Sequence, residues 1–258
     1  MSKTTKFEME KHINWKLAEL CIDISKVVYG DKPEVVKFLK DNKIKHTSVN
    51  FFEKENAQGY GIVMPDYVIV AFRGTEGAQI GDLIADIKAW PAGADTTGTV
   101  HSGFKTELDK LYPQIIKWLG KKLTTKKIVI TGHSLGAAMA TICATRFHHA
   151  GADLELYTYG SPKVGDRAWG EQFKDIAAYR FVNNNDLVTR VPFFGYYKHV
   201  GQIQYITYDV HIKTKVTWWQ RFKDRMKGTG KAFSKFQFFD GLYDHFGNQY
   251  IKKIKTRK

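Results

Sequence analysis

Cysteine is scarce, with two residues in 258. Cys21 and Cys143 each lie inside an apolar helical pattern, Leu20-Cys21-Ile22 and Ile142-Cys143-Ala144. That placement argues against a disulfide framework or a thiolate metal centre and predicts two buried thiols. Long apolar runs are also missing, since no stretch approaches the ~18 consecutive apolar residues of a membrane span. Met1 to Thr5 leads into charged residues instead of the apolar core of a signal peptide, so the expected location is the cytoplasm, or the outside by leaderless export. No internal repeat or low-complexity linker interrupts the chain, and 22 glycines with 6 prolines are ordinary for a globular protein. A length of 258 residues suits one α/β domain over 1–258.

Negative charge is in deficit as well. Lys and Arg number 40 against 26 Asp and Glu, a net +14, and from Lys198 onward fourteen cations face four Asp, a net of +10. Such a region attracts polyanions of any kind, so an anionic membrane and a nucleic acid are both open on charge alone, with plain solubility as the simplest use. Phe233 to Phe239 interleaves aromatics with Lys, as single-strand binders do, but no recognised nucleic-acid module surrounds it and no specific nucleic acid is expected. His148-His149 closes a helical pattern with no Cys or carboxylate at ligand spacing, so no metal is expected, and nothing suggests an organic cofactor.

What is present is an alternation of strand and helix patterns. Trp15, Leu17, Leu20, Cys21, Ile24, Val27 and Val28 recur at helical spacing and stop at Tyr29-Gly30, where glycine is expected to form a left-handed cap. Tyr60 to Met64 and Tyr67 to Phe72 are β-rich runs split by Pro65-Asp66, and the second is apolar throughout, as a strand covered on both faces is. Phe104 to Leu123 has helical character. Strands are predicted at Ile128 to Thr131, Leu154 to Tyr159, Tyr179 to Val182 and Gln202 to Tyr208, with helices at Leu135 to His149 and Arg167 to Ile176. Such alternation predicts an α/β fold with a mostly parallel central sheet and helices on both faces.

The sharpest signal is Gly132-His133-Ser134-Leu135-Gly136, placed between the strand ending at Thr131 and the helix beginning at Leu135. A G-x-S-x-G in that setting is a nucleophile elbow, a tight turn that presents the serine while glycines two residues to either side allow close approach of strand and helix. In that arrangement acid and base follow the serine in chain order, which leaves His199, His211 and His245 as candidate bases. His199 and His211 read more simply as structural or exposed, whereas His245 sits in the glycine-flanked segment Asp240 to Gly247, able to reach back over the sheet. Asp186 follows a strand, as an orienting carboxylate should, while Asp166 and Asp175 lie in or beside a helix.

These residues resemble the class 3 lipases of the α/β-hydrolase fold, a family of fungal triacylglycerol lipases, feruloyl esterases and many bacterial relatives. The resemblance runs from about Tyr67 to Tyr250. It rests on Val70-Ala71-Phe72-Arg73-Gly74-Thr75, Val100-His101-Ser102-Gly103-Phe104, Thr131 to Ala138, Tyr159-Gly160-Ser161-Pro162-Lys163-Val164-Gly165-Asp166, Asn185 to Val188 with Arg190-Val191-Pro192, and Asp244-His245 with Tyr250. It implies Ser134 as nucleophile, Asp186 as the carboxylate and His245 as general base. It also implies an oxyanion hole from the backbone N–H groups of Leu135 and Thr75, with the Thr75 hydroxyl as a further donor. Thr189, Lys163 and Phe193 depart from the Pro, Arg and Pro frequent in the family, which touches loop shape and substrate range more than chemistry. The lack of disulfides leans toward the bacterial branch.

The implied activity is hydrolysis of carboxylic ester bonds of lipids, as in a triacylglycerol lipase or esterase, through an acyl-enzyme. A phospholipase A1 or a non-lipid, feruloyl-type esterase is the nearest alternative, and an inactive basic membrane- or nucleic-acid-binding protein on the same fold is the alternative of another class. Glu76 to Gly98 carries an amphipathic stretch around Leu83, Ile84, Ile87 and Trp90 with glycines at either end. It is expected to be a short helical lid, and activity is expected to rise when substrate forms an interface. The basic helix at about 216–227 sets Trp218, Trp219, Phe222 and Met226 among Arg221, Lys223, Arg225 and Lys227. Aromatics of this kind usually mark packing on the core, while the same make-up also suits an anionic membrane or lipid-droplet surface.

Overall fold

The computed structural model describes residues 12–75, 80, 90–193, 195–229 and 245–257, and of 225–229 the backbone alone. Helices are α1 (Trp15–Val27), α2 (Lys32–Asp41), α3 (Ser102–Leu119), α4 (Lys122–Thr125), α5 (Leu135–His149), α6 (Arg167–Gly170), α7 (Trp218–Thr229) and α8 (Gly247–Lys255). Strands are β1 (Ser48–Lys54), β2 (Ala57–Val63), β3 (Tyr67–Phe72), β4 (Pro91–Gly93), β5 (Thr99–His101), β6 (Lys127–His133), β7 (Leu154–Tyr159), β8 (Ala177–Asn183), β9 (Gln202–Ile206) and β10 (Ile212–Lys213). Eight of them form one sheet in the order β1-β2-β3-β6-β7-β8-β9-β10. From β3 to β9 the neighbours are parallel, while β1, β2 and β10 add antiparallel edges.

Alternation along the strands divides the apolar residues between two cores. Val68, Val70, Phe72, Ile128, Ile130 and Leu156 pack with Phe104, Leu108 and Leu111 of α3 and with Ala138, Met139 and Ile142 of α5. Ile69, Ala71, Val129, Tyr157, Tyr159 and Phe181 face the other way, onto α1, α2 and α8. Covering on both faces is why β3 reads as an unbroken apolar run and not as an alternating one. The predicted mostly parallel sheet with helices on both faces is the arrangement found.

Several boundaries shift for identifiable reasons. The helix expected over Arg167 to Ile176 is α6 followed by a 3-10 turn at Glu171–Lys174. The run from Phe104 is broken at Gly120 (φ 48°), which separates α3 from α4. The left-handed cap expected at Gly30 is absent: α1 closes on tightened turns, with Tyr29 N–H donating to Lys26 O and Gly30 N–H to Val27 O. Gly30 leaves the place of a Cβ to the Glu34 carboxylate, whose Oε2 would lie 1.8 Å from it and would have to swing away. That carboxylate caps α2 jointly with Asp31. Helix α2 has only Val35 and Leu39 buried, so its apolar stripe is thin and its periodicity faint. Of the lid expected over 76–98, residue 80 and residues 90–98 are described: Ile80 packs on Val188 and Val191, Trp90 is exposed and Pro91–Gly93 is strand β4, paired with β5, while the helix expected around Leu83, Ile84 and Ile87 lies outside the described residues. No described helix is long and apolar enough to cross a membrane.

Cys21 and Cys143 are free and fully buried on opposite faces of the sheet, and burial pushes both thiols up. Neither should react with a disulfide reagent at pH 8 in the native protein, and both should react once urea unfolds it. One fast native equivalent would contradict this packing.

Candidate active site

The site forms at the carboxyl ends of adjacent parallel strands, where the chain leaves β3, β6, β7 and β8. Ser134 links β6 to α5 with φ 59° and ψ −128°, a conformation that a residue with a Cβ adopts only when its surroundings enforce it. The surroundings are close-packed. A Cβ at Gly132 would lie 2.3 Å from Gly136 O, and one at Gly136 would lie 2.3 Å from Phe72 O at the end of β3. The two glycines therefore seat the turn against α5 and α5 against the sheet. Ser134 N–H donates to Tyr159 O at 3.0 Å, tying the turn to the end of β7.

Beyond Tyr159 stands Gly160 at φ 59°. A Cβ there would meet Asp186 Oδ2 at 2.8 Å and His245 Nδ1 and Cε1 at 2.9 Å. One peptide thus contacts the serine turn on one side and the Asp186–His245 pair on the other. His245 Nδ1 lies 3.0 Å from both Asp186 oxygens, and both side chains are fully buried. A carboxylate facing Nδ1 holds the proton on that nitrogen and leaves the lone pair on Nε2. Ser134 Oγ and His245 Nε2 are both buried without a hydrogen-bond partner, each other included, so transfer of a proton between them requires the two to close to hydrogen-bonding distance.

Asp186 has two further donors, Tyr250 O–H at 2.6 Å and Val188 N–H at 2.9 Å. Burial by itself would raise its carboxyl pKa. The facing His245, together with hydrogen bonds from His245 and Tyr250, outweighs burial and holds the pKa below the ordinary value. Tyr250 is fixed in turn by accepting from Asn183 N–H at 2.9 Å. Leu135, as the first residue of α5, has an N–H without an intrahelical acceptor. Thr75 follows Gly74, where a Cβ would lie 3.2 Å from Ser134 Cβ, so the loop after β3 runs directly beside the serine.

The other candidates fall away from this corner. His199 Nε2 donates to Thr189 O at 2.7 Å, and burial, helped by Arg180, pushes its pKa well below the ordinary value, so it is a structural imidazole. His211 is exposed beside Asp209. Asp166 caps α6, accepting from Trp169 N–H at 2.7 Å and from the Thr99 N–H and hydroxyl. No cluster of three metal-ligating side chains occurs among the described residues. Three contributors were not assigned a role from sequence: Tyr250, Gly160 and His133. All three lie within recognisable motifs, but their partners lie tens of residues away in the chain.

The family model for class 3 lipases matches residues 69–196. Residues 69–196 thus carry the pattern of the class 3 lipase family. It is 32% identical over 154 residues to a lipase of Rhizomucor miehei, covering 54% of this chain and 42% of that one. It is 38% identical over 104 residues to the secreted mono- and diacylglycerol lipase 1 of Fusarium solani, covering 38% and 31%. The chain thus spans less than half the length of these curated relatives. Among solved structures, a mutant form of MDLA from Penicillium cyclopium superposes with a TM-score of 0.61 at 26% identity, covering 74% of this chain and 79% of that one. The α/β-hydrolase fold is shared, and the comparisons do not single out a bacterial branch.

Gly160→Ala should slow labelling of Ser134 by a fluorophosphonate probe on the order of 100-fold, since the new methyl must displace the Asp186–His245 pair by about 1 Å. Gly151→Ala is the control, because it carries similar backbone strain at φ 79° with nothing within 4 Å. Equal labelling rates for the two variants would refute the close contact.

Proposed function

We propose that this class 3 lipase domain is a serine hydrolase acting on carboxylic ester bonds of lipids, with acylglycerols as the substrate class. The observation that carries the reading is the buried Asp186–His245 pair with unpaired Nε2, set across Gly160 from the unpaired Ser134 hydroxyl. Similarity to the Rhizomucor miehei lipase and to the mono- and diacylglycerol lipase of Fusarium solani supports the lipid class. In the reaction, Ser134 Oγ attacks the ester carbonyl as its proton passes to His245 Nε2. Asp186 holds the resulting imidazolium, and the N–H groups of Leu135 and Thr75 receive the developing oxyanion. The imidazolium protonates the departing alcohol. Water activated by His245 then releases the fatty acid and restores Ser134. No step needs a metal or an organic cofactor.

A single observation favours a surface-bound mode of action. The three described aromatics of α7 do not pack on the core: Trp218, Trp219 and Phe222 are 63%, 65% and 43% exposed, Trp218 stacks on Phe222, and Trp219 meets both edge-on. The helix is held by its polar side instead. Asp224 lies 3.1 Å from the Tyr205 hydroxyl and accepts from Tyr208 N–H at 3.2 Å, and Arg221 lies over the Tyr205 ring at 5.5 Å. An aromatic patch facing outward in a region of net +10 fits an anionic membrane or lipid-droplet surface, each nearby cation adding about 1 kcal/mol.

Ser134→Ala should lower kcat on a short-chain ester by on the order of 10⁶, and Asp186→Asn by on the order of 10⁴. Asp166→Asn, which alters a helix cap, should leave kcat near that of the parent. A Ser134→Ala protein keeping a tenth of the activity would overturn the assignment. Binding to vesicles of phosphatidylglycerol should exceed binding to phosphatidylcholine and weaken with salt. A Trp218→Ser, Trp219→Ser variant should lose that binding at least tenfold while hydrolysing the soluble ester at the parental rate. Unchanged binding would return the helix to a plain scaffold role.

A further inference from the structure

His133, the residue before the nucleophile, takes no part in the acyl-transfer scheme, yet it contacts the general base twice. Its Nε2 lies 2.6 Å from the main-chain carbonyl oxygen of His245, and the two imidazole rings pack with centroids 4.6 Å apart at 30°. A carbonyl oxygen only accepts, so Nε2 carries the proton. In a neutral ring the lone pair is then on Nδ1, and Nδ1 lies 3.1 Å from the Tyr29 hydroxyl, which can donate to it. His133 is 3% exposed. Burial, then the neighbouring His245, hold its pKa down to about 3 against the opposing pull of Asp186, so the ring is neutral at working pH.

We propose that His133 is a positioning residue that holds the His245 main chain through Nε2–H, with Tyr29, just beyond α1, selecting the tautomer that makes this bond available. The inference rests on the reading of Ser134 and His245 as nucleophile and base, and it deepens that reading. The chemistry explains why an imidazole stands here. A permanently charged donor such as Lys would place a second cation against the imidazolium that forms on His245 and would oppose proton abstraction. A neutral N–H donor adds no such charge. The Tyr29 hydroxyl also fills the space above Gly74, where a Cβ would lie 2.4 Å from it. One hydroxyl therefore abuts the loop leading to Thr75 while orienting the ring that holds the base.

The test combines a kcat and KM comparison on a soluble short-chain ester with ¹⁵N NMR of His133. His133→Leu removes the donor, and a shift of the base by about 1 Å should lower kcat on the order of 100-fold with KM little changed. His133→Gln, whose amide nitrogen can reach the place of Nε2, should restore kcat to within a few-fold of the parent. Tyr29→Phe should lower kcat in the parent but add nothing to His133→Leu, because both act through one bond. The ¹⁵N shifts of the parent should show the Nε2–H tautomer. This last measurement decides the matter if His133→Leu does not fold. A Nδ1–H tautomer, a Gln variant as slow as the Leu variant, or an equal Tyr29→Phe cost in both backgrounds would overturn the proposal. A parent protein whose Ser134 resists fluorophosphonate labelling would instead overturn the hydrolase reading itself.

Discussion

A carboxylate with no exposure to water lies just beyond the end of β8, and much of the structure depends on keeping it charged. Removing an ionised carboxyl from water costs several kcal/mol unless its oxygens are occupied. At Asp186 the occupants are His245 Nδ1–H, Tyr250 O–H and the Val188 N–H. They come from three places: the segment before α8, α8 itself and the turn after β8. Satisfying the charge therefore pins the C-terminal helix to the sheet edge. The same contacts orient the imidazole that would serve Ser134, so one electrostatic requirement provides both the attachment of α8 and the alignment of the base.

That alignment is possible only where side chains are withheld. Gly132, Gly136 and Gly160 each occupy a position where a Cβ would fall within 3 Å of a backbone oxygen or of the Asp–His pair. The serine turn, the end of β3 and the His245 ring thereby approach more closely than ordinary packing permits. His133 adds a hydrogen bond from the turn itself to the base, reaching back to Tyr29 beyond the first helix. Elements from the beginning, middle and end of the chain thus meet within one corner of the sheet.

Helix α7 shows the opposite economy of contacts. Its polar Asp224 and Arg221 face the fold, and its aromatic residues face outward. An amphipathic pattern records that two faces differ, but the fold decides which face it covers. Here a buried Asp224 beside Tyr205 and Tyr208 fixes the helix the unexpected way round and leaves the aromatic stripe exposed.

Local order was legible in the sequence. The apolar runs of β3, β6 and β7, the helix Leu135–His149 and the glycines around Ser134 each carry a pattern within a few residues, because strand burial, helix periodicity and turn sterics act over short chain distances. Helix α2 is faint in the sequence because two buried side chains, Val35 and Leu39, make a weak stripe. The carboxylate Asp186 is legible from its place after a strand and His245 from its glycine-flanked segment, Asp240 to Gly247, and the motifs of the resembled family point to the same pair. An amphipathic pattern does not say which face of α7 the fold covers, and the sequence equally could not determine the partners across long separations: Tyr250 on Asp186, Gly160 against the His245 ring and His133 on the His245 carbonyl. Hydrogen bonding and close contact depend on distance in space, and only the assembled sheet brings residues more than 50 positions apart to within 3 Å.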